Sequence, residues 1–314
     1  GGLAEGCKQC VEGKKLVLFA TGLCAQRCFY CPISEQKFGK DVVFANEWEV
    51  KDSENPVELL EEARLTKATG AGITGGDPLC HPEIVQVVRM VAKTGMQPIV
   101  NTNGHAMTEE LMRSLKAAGA IGFTFHIDSL QQRPQWTGKS ELELCELRQK
   151  CADMTHRVGG LFCSFNATIY DETLKFVPAL TDWAQKNCAK VHSMVYIAFR
   201  AAIPDKFDYY AGGKKIDAKE ELVYGEHKGR RITIGADDII EQIRKADPHF
   251  SPAAYLNGTE DPSAKKWTMS VRLVTKKKSF GSVGPKFMEF AQVMHHFFYG
   301  VYLAYTKPWS LVLG

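Results

Sequence analysis

Between Lys15 and Arg200 the chain alternates six short apolar runs with five longer amphipathic stretches. That alternation limits the possible folds more than any other feature. The apolar runs lie at residues 15–22, 71–79, 97–104, 120–128, 160–169 and 190–200. Helical spacing of apolar residues recurs at 55–69, 81–94, 108–118, 141–156 and 171–186. The first of these has Pro56 near its start, Glu58, Glu61 and Glu62 early and Lys67 late, as a helix dipole prefers, with Gly70 expected to end it. Thr108 is placed to cap another. Strands separated by helices imply a parallel sheet with covering helices. Right-handed crossovers curl such a sheet. The expected fold class is therefore α/β, a partial (β/α)6 barrel over residues 15–200. An N-terminal arm at 1–14 precedes it, and a C-terminal α+β extension at 201–314 covers the substrate.

Composition narrows the class. The chain has 314 residues, 45% hydrophobic and 24% charged, which suits one large domain with a smaller lobe. Lysines and arginines exceed acids by 39 − 36 = 3, too small an excess to argue for nucleic acid. Ten cysteines in so long a chain, with no signal-peptide pattern at its start, argue against a disulfide-rich secreted protein. Thiols kept reduced point to a cytoplasmic protein. No window near the start or middle reads as a membrane span.

The first strand leads into Leu-Cys-Ala-Gln-Arg-Cys-Phe-Tyr-Cys-Pro, residues 23–32, with Cys24, Cys28 and Cys31 spaced C-x3-C-x2-C. Thiolates at such short spacing suit one compact soft-metal site, and iron–sulfur clusters are held this way. A four-iron cubane needs four ligands and this loop supplies three, so one iron would stay open. An open coordination position marks a reactive site. The C-terminal end of a strand is also where α/β barrels carry their chemistry. A zinc knuckle short of one ligand, or chance clustering, would give the same three residues.

After the next strand comes Gly75-Gly76-Asp77-Pro78. Glycines let a backbone approach a ligand closely, although this tetrapeptide is also an ordinary turn.

Taken with the strand–helix alternation, these motifs resemble the radical S-adenosylmethionine (radical SAM) enzymes, down to the aromatic Tyr30 before the last cysteine of the loop. The likeness covers roughly residues 15–200. It is loosely similar to archaeal proteins described as related to the pyruvate formate-lyase activating enzymes. The resemblance implies a [4Fe-4S] cluster on Cys24, Cys28 and Cys31, with S-adenosylmethionine chelated at the open iron. Reductive cleavage would give a 5′-deoxyadenosyl radical that abstracts a hydrogen atom from a substrate. A low-potential electron donor of ferredoxin or flavodoxin type is implied as partner. In this family a Gly-Gly-Glu-Pro segment contacts the methionine amino group; here Asp77 stands where Glu is usual, and Gly75, Gly76 and Asp77 are carried over. The oxidoreductase and transferase classes both remain open. So does the substrate, as a small molecule, a lipid, an RNA base or a protein. The rival from another class is a non-catalytic zinc-binding thiolate module.

Polar residues at the ends of the other strands are candidates for cofactor or substrate contact. These are Thr102, Asn103, His126, Asp128, Asn166 and Arg200, with Tyr196 as a candidate for adenine. His126 and Asp128, two apart in a strand, face one side of the sheet, where a core histidine satisfied by an aspartate is the plainer reading. Cys7 and Cys10 form a C-x2-C pair able to clip a second zinc or iron–sulfur site if two more ligands join, Cys80, Cys145, Cys151, Cys163 and Cys188 being available. In the extension, residues 232–235 and 267–275 read as strands and 236–246 as a helix. Residues 288–305 read as an apolar helix, suited to a lid over the barrel or to peripheral membrane or lipid contact.

Overall fold

The structure is a computed structural model and describes residues 5–26, 28, 31, 48–199, 208–216, 234–252, 254–256, 267–275 and 279–299. Six parallel strands form one sheet in sequential order: β1 Lys15–Thr21, β2 Gly70–Gly75, β3 Gln97–Thr102, β4 Gly122–His126, β5 Phe162–Ile169 and β6 Ser193–Ala198. β1 and β6 are the two edges, so the sheet stays open rather than closing into a full barrel. The helices are α2 Asn55–Thr66, α3 Ile84–Lys93, α4 Glu109–Ala117, α5 Cys145–Val158, α6 Asp171–Leu174 and α7 Val177–Lys186. They cover one face of the sheet. There Ile73, Val100, Phe123, Phe125 and Phe165 pack with Val87, Val88, Val91, Met112 and Leu115 in one buried cluster. Alternation along the strands leaves the other face concave and polar, with Thr74, Asn101, Thr124, His126, Ser164, Asn166 and Thr168 on it.

Helix boundaries depart from the sequence reading where local chemistry intervenes. α2 ends at Lys67, whose φ of 55° is left-handed, and Gly70 instead opens β2. The expected helix at 171–186 is two helices, because Pro178 lacks the N–H that would have bonded the Leu174 carbonyl. α5 starts at Cys145, leaving Glu141 in the preceding turn. Thr108 caps α4 as expected, its Oγ accepting the Leu111 N–H at 3.1 Å.

The N-terminal arm contains a helix, α1 Glu5–Val11, laid across the N-terminal ends of the strands. Gln9, 2% exposed, donates to Gln97 Oε1 at 2.6 Å and packs where a side chain on Gly70 would stand. Cys7 Sγ lies 3.8 Å from Ser193 Oγ at the start of β6.

In the extension, α8 Ala236–Ala246 packs on α7, burying Ile239 and Ile243 with Ile169, Val177 and Leu180. Three two-stranded antiparallel ribbons follow the barrel: β7 Tyr209–Ala211 with β8 Lys214–Ile216, β9 Ala254–Leu256 with β10 Trp267–Met269, and β11 Arg272–Val274 with β12 Ser279–Ser282. The strand expected at 267–275 is thus broken in two, and residues 234–235 are not strand. α9, Pro285–Tyr299, brings His295 within 3.6 Å of Glu12, at the end of the sheet away from the cysteine loop. Residues 300–305 of the expected apolar helix lie outside the described residues. Among the described residues no helix is long and apolar enough to cross a membrane.

Candidate metal and cofactor site

β1 ends in the loop that carries Cys24, and two backbone hydrogen bonds fasten that loop to the glycine-rich turn after β2. The Gly76 N–H donates to the Thr21 carbonyl and the Asp77 N–H to the Leu23 carbonyl, both at 2.7 Å. Gly76 is required there: a Cβ would press into the carbonyls of Leu23 and Gly22. The cysteine loop and the Gly-Gly-Asp-Pro segment therefore form one wall at the C-terminal end of the sheet.

Asp77 is 2% exposed and faces into the protein. Its Oδ1 accepts the Leu79 N–H at 2.9 Å and the Thr102 hydroxyl at 2.8 Å; its Oδ2 accepts the Asn103 N–H at 2.8 Å and the same hydroxyl at 2.9 Å. Burial pushes its carboxyl up, against the pull of these donors. Thr102 also accepts the Gly104 N–H at 2.9 Å, so its hydroxyl is committed to the turn. Asp77 and Thr102 thus brace the wall from behind. Asn103 stands in front: its Nδ2 reaches Cys24 Sγ at 3.6 Å, while its Oδ1 accepts the His105 N–H. The sulfur of Cys24 takes a second donor, the Gln26 N–H at 3.4 Å, and burial raises its thiol to about 11.

His126 and Asp128 lie on the concave face at the end of β4. The His126 Nε2 is 3.0 Å from Asp128 Oδ2 and 3.0 Å from Thr168 Oγ1. Asp128 also accepts the Thr168 N–H at 3.1 Å. The pair is hydrogen-bonded, as the plainer reading had it, yet the imidazole keeps 30% of its surface on the cavity while the aspartate keeps none. Asn166 sits beside His126 in register, half-exposed on the same face. Behind this group, buried Arg148 pairs with Glu141 and donates to the carbonyls of Ile127, at 2.6 Å, and Glu141, at 2.8 Å. Glu141 in turn accepts the Ser129 N–H at 2.6 Å.

Tyr196 is a correction. It faces the helices, its hydroxyl 2.7 Å from Thr181 Oγ1 of α7, because it alternates out of phase with the concave-face residues Ser193 and Val195. It does not reach the cavity. Tyr30 and Arg200 lie outside the described residues. Cys7 and Cys10 sit at the N-terminal end of the sheet and Cys80 at the C-terminal end, a strand length of about 17–20 Å apart. Cys80 therefore cannot complete a site with them. Cys151 and Cys163 are buried in the helix-facing core.

The residues present fit a thiolate-held cluster in kind. They supply soft sulfur donors, N–H groups aimed at sulfur, and Gln26, a buried amide whose Nε2 and Oε1 have no protein partner. As they stand, no three His, Cys, Asp or Glu side chains among the described residues are gathered as a metal-ion site. All ten cysteines are free of disulfides. A cavity of about 360 Å³, lined by His156, Lys190 and His192 among others, opens at the other end of the sheet and contains none of these residues. Sequence reasoning missed Gln26, whose one signal was its place inside the cysteine motif.

Among curated proteins the chain is 56% identical over 77 residues to a Methanocaldococcus jannaschii protein named provisionally as a glycyl-radical enzyme activating enzyme, covering 24% of this chain and 20% of that one. It is 21% identical over 239 residues to an Fe-coproporphyrin III synthase of Methanosarcina barkeri, covering 75% and 53%. The chain thus spans about half or less of the length of these relatives. A solved structure of Streptococcus suis SuiB bound to S-adenosylmethionine matches 58% of this chain and 40% of that one, at 15% identity and a TM-score of 0.43. The family model described as the radical SAM superfamily matches residues 18–157, from inside β1 to the penultimate residue of α5. Over residues 18–157, somewhat less than half of its length, the chain is similar to the radical SAM superfamily.

Proposed function

We propose that this chain is an enzyme that cleaves S-adenosylmethionine reductively and abstracts a hydrogen atom from a substrate held against the concave face of the sheet. Cys24, Cys28 and Cys31 would hold a [4Fe-4S] cluster, which supplies the electron and, with the bound sulfonium, a carbon-centred radical. The observation that carries the reading is the contact of Asn103 with Cys24 across a wall braced by Gly76 and Asp77, where the superfamily match begins. Loading would draw the three sulfurs together around the wall.

Each remaining residue has a task that needs no enzyme acid or base. Gly75 and Gly76, whose missing Cβ atoms let the turn close on the Thr21, Gly22 and Leu23 carbonyls, would offer their peptide groups to a methionine moiety. Asp77 positions Asn103 rather than touching the ligand, because its acceptor positions are filled by protein donors. Gln26 offers its unpartnered amide to a polar ligand. His126, Asn166 and Thr168 line the floor on which ribose or substrate would rest, and Asp128 fixes the imidazole. Among substrate classes, the relative named for activating glycyl-radical enzymes supports a protein segment. The electron would come from a low-potential iron–sulfur or flavin protein.

The test is anaerobic reconstitution with iron and sulfide, followed by dithionite and S-adenosylmethionine. The loaded protein should release 5′-deoxyadenosine and the Cys28→Ala variant should not. A colourless protein that retains zinc and forms no 5′-deoxyadenosine would support the zinc-module alternative.

A further inference from the structure

The six strands of the parallel sheet contain no aspartate or glutamate, and Lys15 is their only lysine or arginine. Lys15 opens β1 in register with Gly70, which puts its side chain on the concave face. Its stem crosses the bare backbone of Gly72: a Cβ there would stand 3.0 Å from Cε and 3.6 Å from Nζ of Lys15. The same Cβ would stand 3.1 Å from Nδ2 of Asn101, so the ammonium and the amide converge over one glycine. Thr124 and then Ser164 continue from Asn101 in register across β4 and β5, on the same face. None of these four side chains has a hydrogen-bond or ion-pair partner among the described residues, although Ser164 is only 7% exposed. The acids of the N-terminal arm are engaged elsewhere, Glu5 with Lys8 at 3.0 Å and Glu12 with Lys14 at 3.3 Å. A half-buried ammonium and a buried hydroxyl without partners are unfavourable until a ligand or water supplies them.

We infer that Lys15, Asn101, Thr124 and Ser164 form the binding site for an anionic oxygen group of the substrate, a carboxylate or a phosphate. The inference deepens the proposed function and rests on its placing of the substrate against this face. Lys15 supplies the charge, and its compact ammonium suits either oxyanion. The Asn101 amide and the two hydroxyls add neutral donors in a line across three strands. No carboxylate within the sheet repels an anion there. The depth also fits. Asn101 precedes Asn103 by two residues, about 7 Å along the strand, and Asn103 reaches Cys24 Sγ at 3.6 Å. An anion held at Asn101 therefore lies below the wall that carries Cys24, with the reacting carbon between the two. The site is apart from the methionine carboxylate, which the proposed function places at the iron.

The test is equilibrium dialysis of the full iron-free chain at fixed ionic strength, with radiolabelled inorganic phosphate in one arm and radiolabelled succinate in the other. Wild type should bind at least one probe saturably, one per chain. Lys15→Met keeps the stem and drops the charge, and should weaken that binding about tenfold or more. Asn101→Asp sets a carboxylate beside the ammonium and should abolish it. Lys14→Met removes the same charge from the pair with Glu12 and should bind as wild type does. Circular dichroism checks that each variant is folded. Binding of phosphate alone supports a phosphorylated substrate, and binding of succinate alone supports a carboxylate. No saturable binding of either probe, or equal losses in Lys14→Met and Lys15→Met, overturns the inference. A chain that forms 5′-deoxyadenosine yet binds neither anion overturns this inference alone. A chain that binds an anion through Lys15 and forms no 5′-deoxyadenosine overturns the proposed reaction and leaves the anion site standing.

Discussion

Replacing Asp77 by alanine probes how the wall of the site is held. The substitution leaves three buried donors without an acceptor: the N–H of Leu79, the N–H of Asn103 and the hydroxyl of Thr102. Each orphaned donor costs about 1–3 kcal/mol, so the gross loss is roughly 3–9 kcal/mol. Against this stands the relief of burying a carboxylate, which burial disfavours at this position and which is worth on the order of a few kcal/mol. A net loss of about 2–4 kcal/mol follows, or a fall in Tm of roughly 4–16 °C at about 2–4 °C per kcal/mol for a large domain. Asp77→Asn keeps one acceptor oxygen and turns an amide nitrogen toward one remaining donor, so it should cost about 1–2 kcal/mol. Thermal unfolding followed by circular dichroism on the iron-free protein measures both. An alanine variant within about 0.5 kcal/mol of wild type, or an asparagine variant as damaged as alanine, would refute the bracing role.

Three further outcomes are expected. Gly76→Ala pushes a methyl group into the Leu23 and Gly22 carbonyls, so the variant should load less iron than wild type after identical reconstitution. Arg148→Met strands the Glu141 carboxylate in the core and should cost about 3–5 kcal/mol in a urea titration, whereas the double change Arg148→Met with Glu141→Gln should recover part of that loss. His192 is held below its ordinary value of 6.5, chiefly by burial, and its Nδ1 accepts the Cys163 N–H at 3.1 Å. The folded state therefore prefers the neutral ring. Its contribution is fully present above pH 6.5 and is lost as pH falls through the lowered folded value, so wild type should lose stability below pH 6.5 more steeply than His192→Gln.

Much of this architecture was legible in the residues because two periods are written into them. Alternation of apolar runs with helical spacing gave the parallel sheet, and the spacing of Cys24, Cys28 and Cys31 marked the end of the strand where chemistry belongs. What escaped was set by contacts across the chain. Nothing near Tyr196 tells which face of β6 it takes; the register against β5 decides that. Asp77 looked like a ligand contact because of its motif, and only the fold shows its carboxylate filled by Leu79, Thr102 and Asn103. Gln26 has no signature of its own, since only the fold shows its amide to be buried and unpartnered. The arm at 1–14 gave no sign of the helix that fills the base of the barrel, because seven residues are too few for propensity to speak.

The central claim is that one iron at the Cys24–Cys28–Cys31 loop is available to the methionine end of S-adenosylmethionine. Electron–nuclear double resonance on the dithionite-reduced protein with ¹⁵N-amino-labelled S-adenosylmethionine tests it most directly. A hyperfine coupling between the reduced cluster and the labelled nitrogen is the expected result. A loaded, reduced cluster that binds the cofactor with no such coupling would contradict the account.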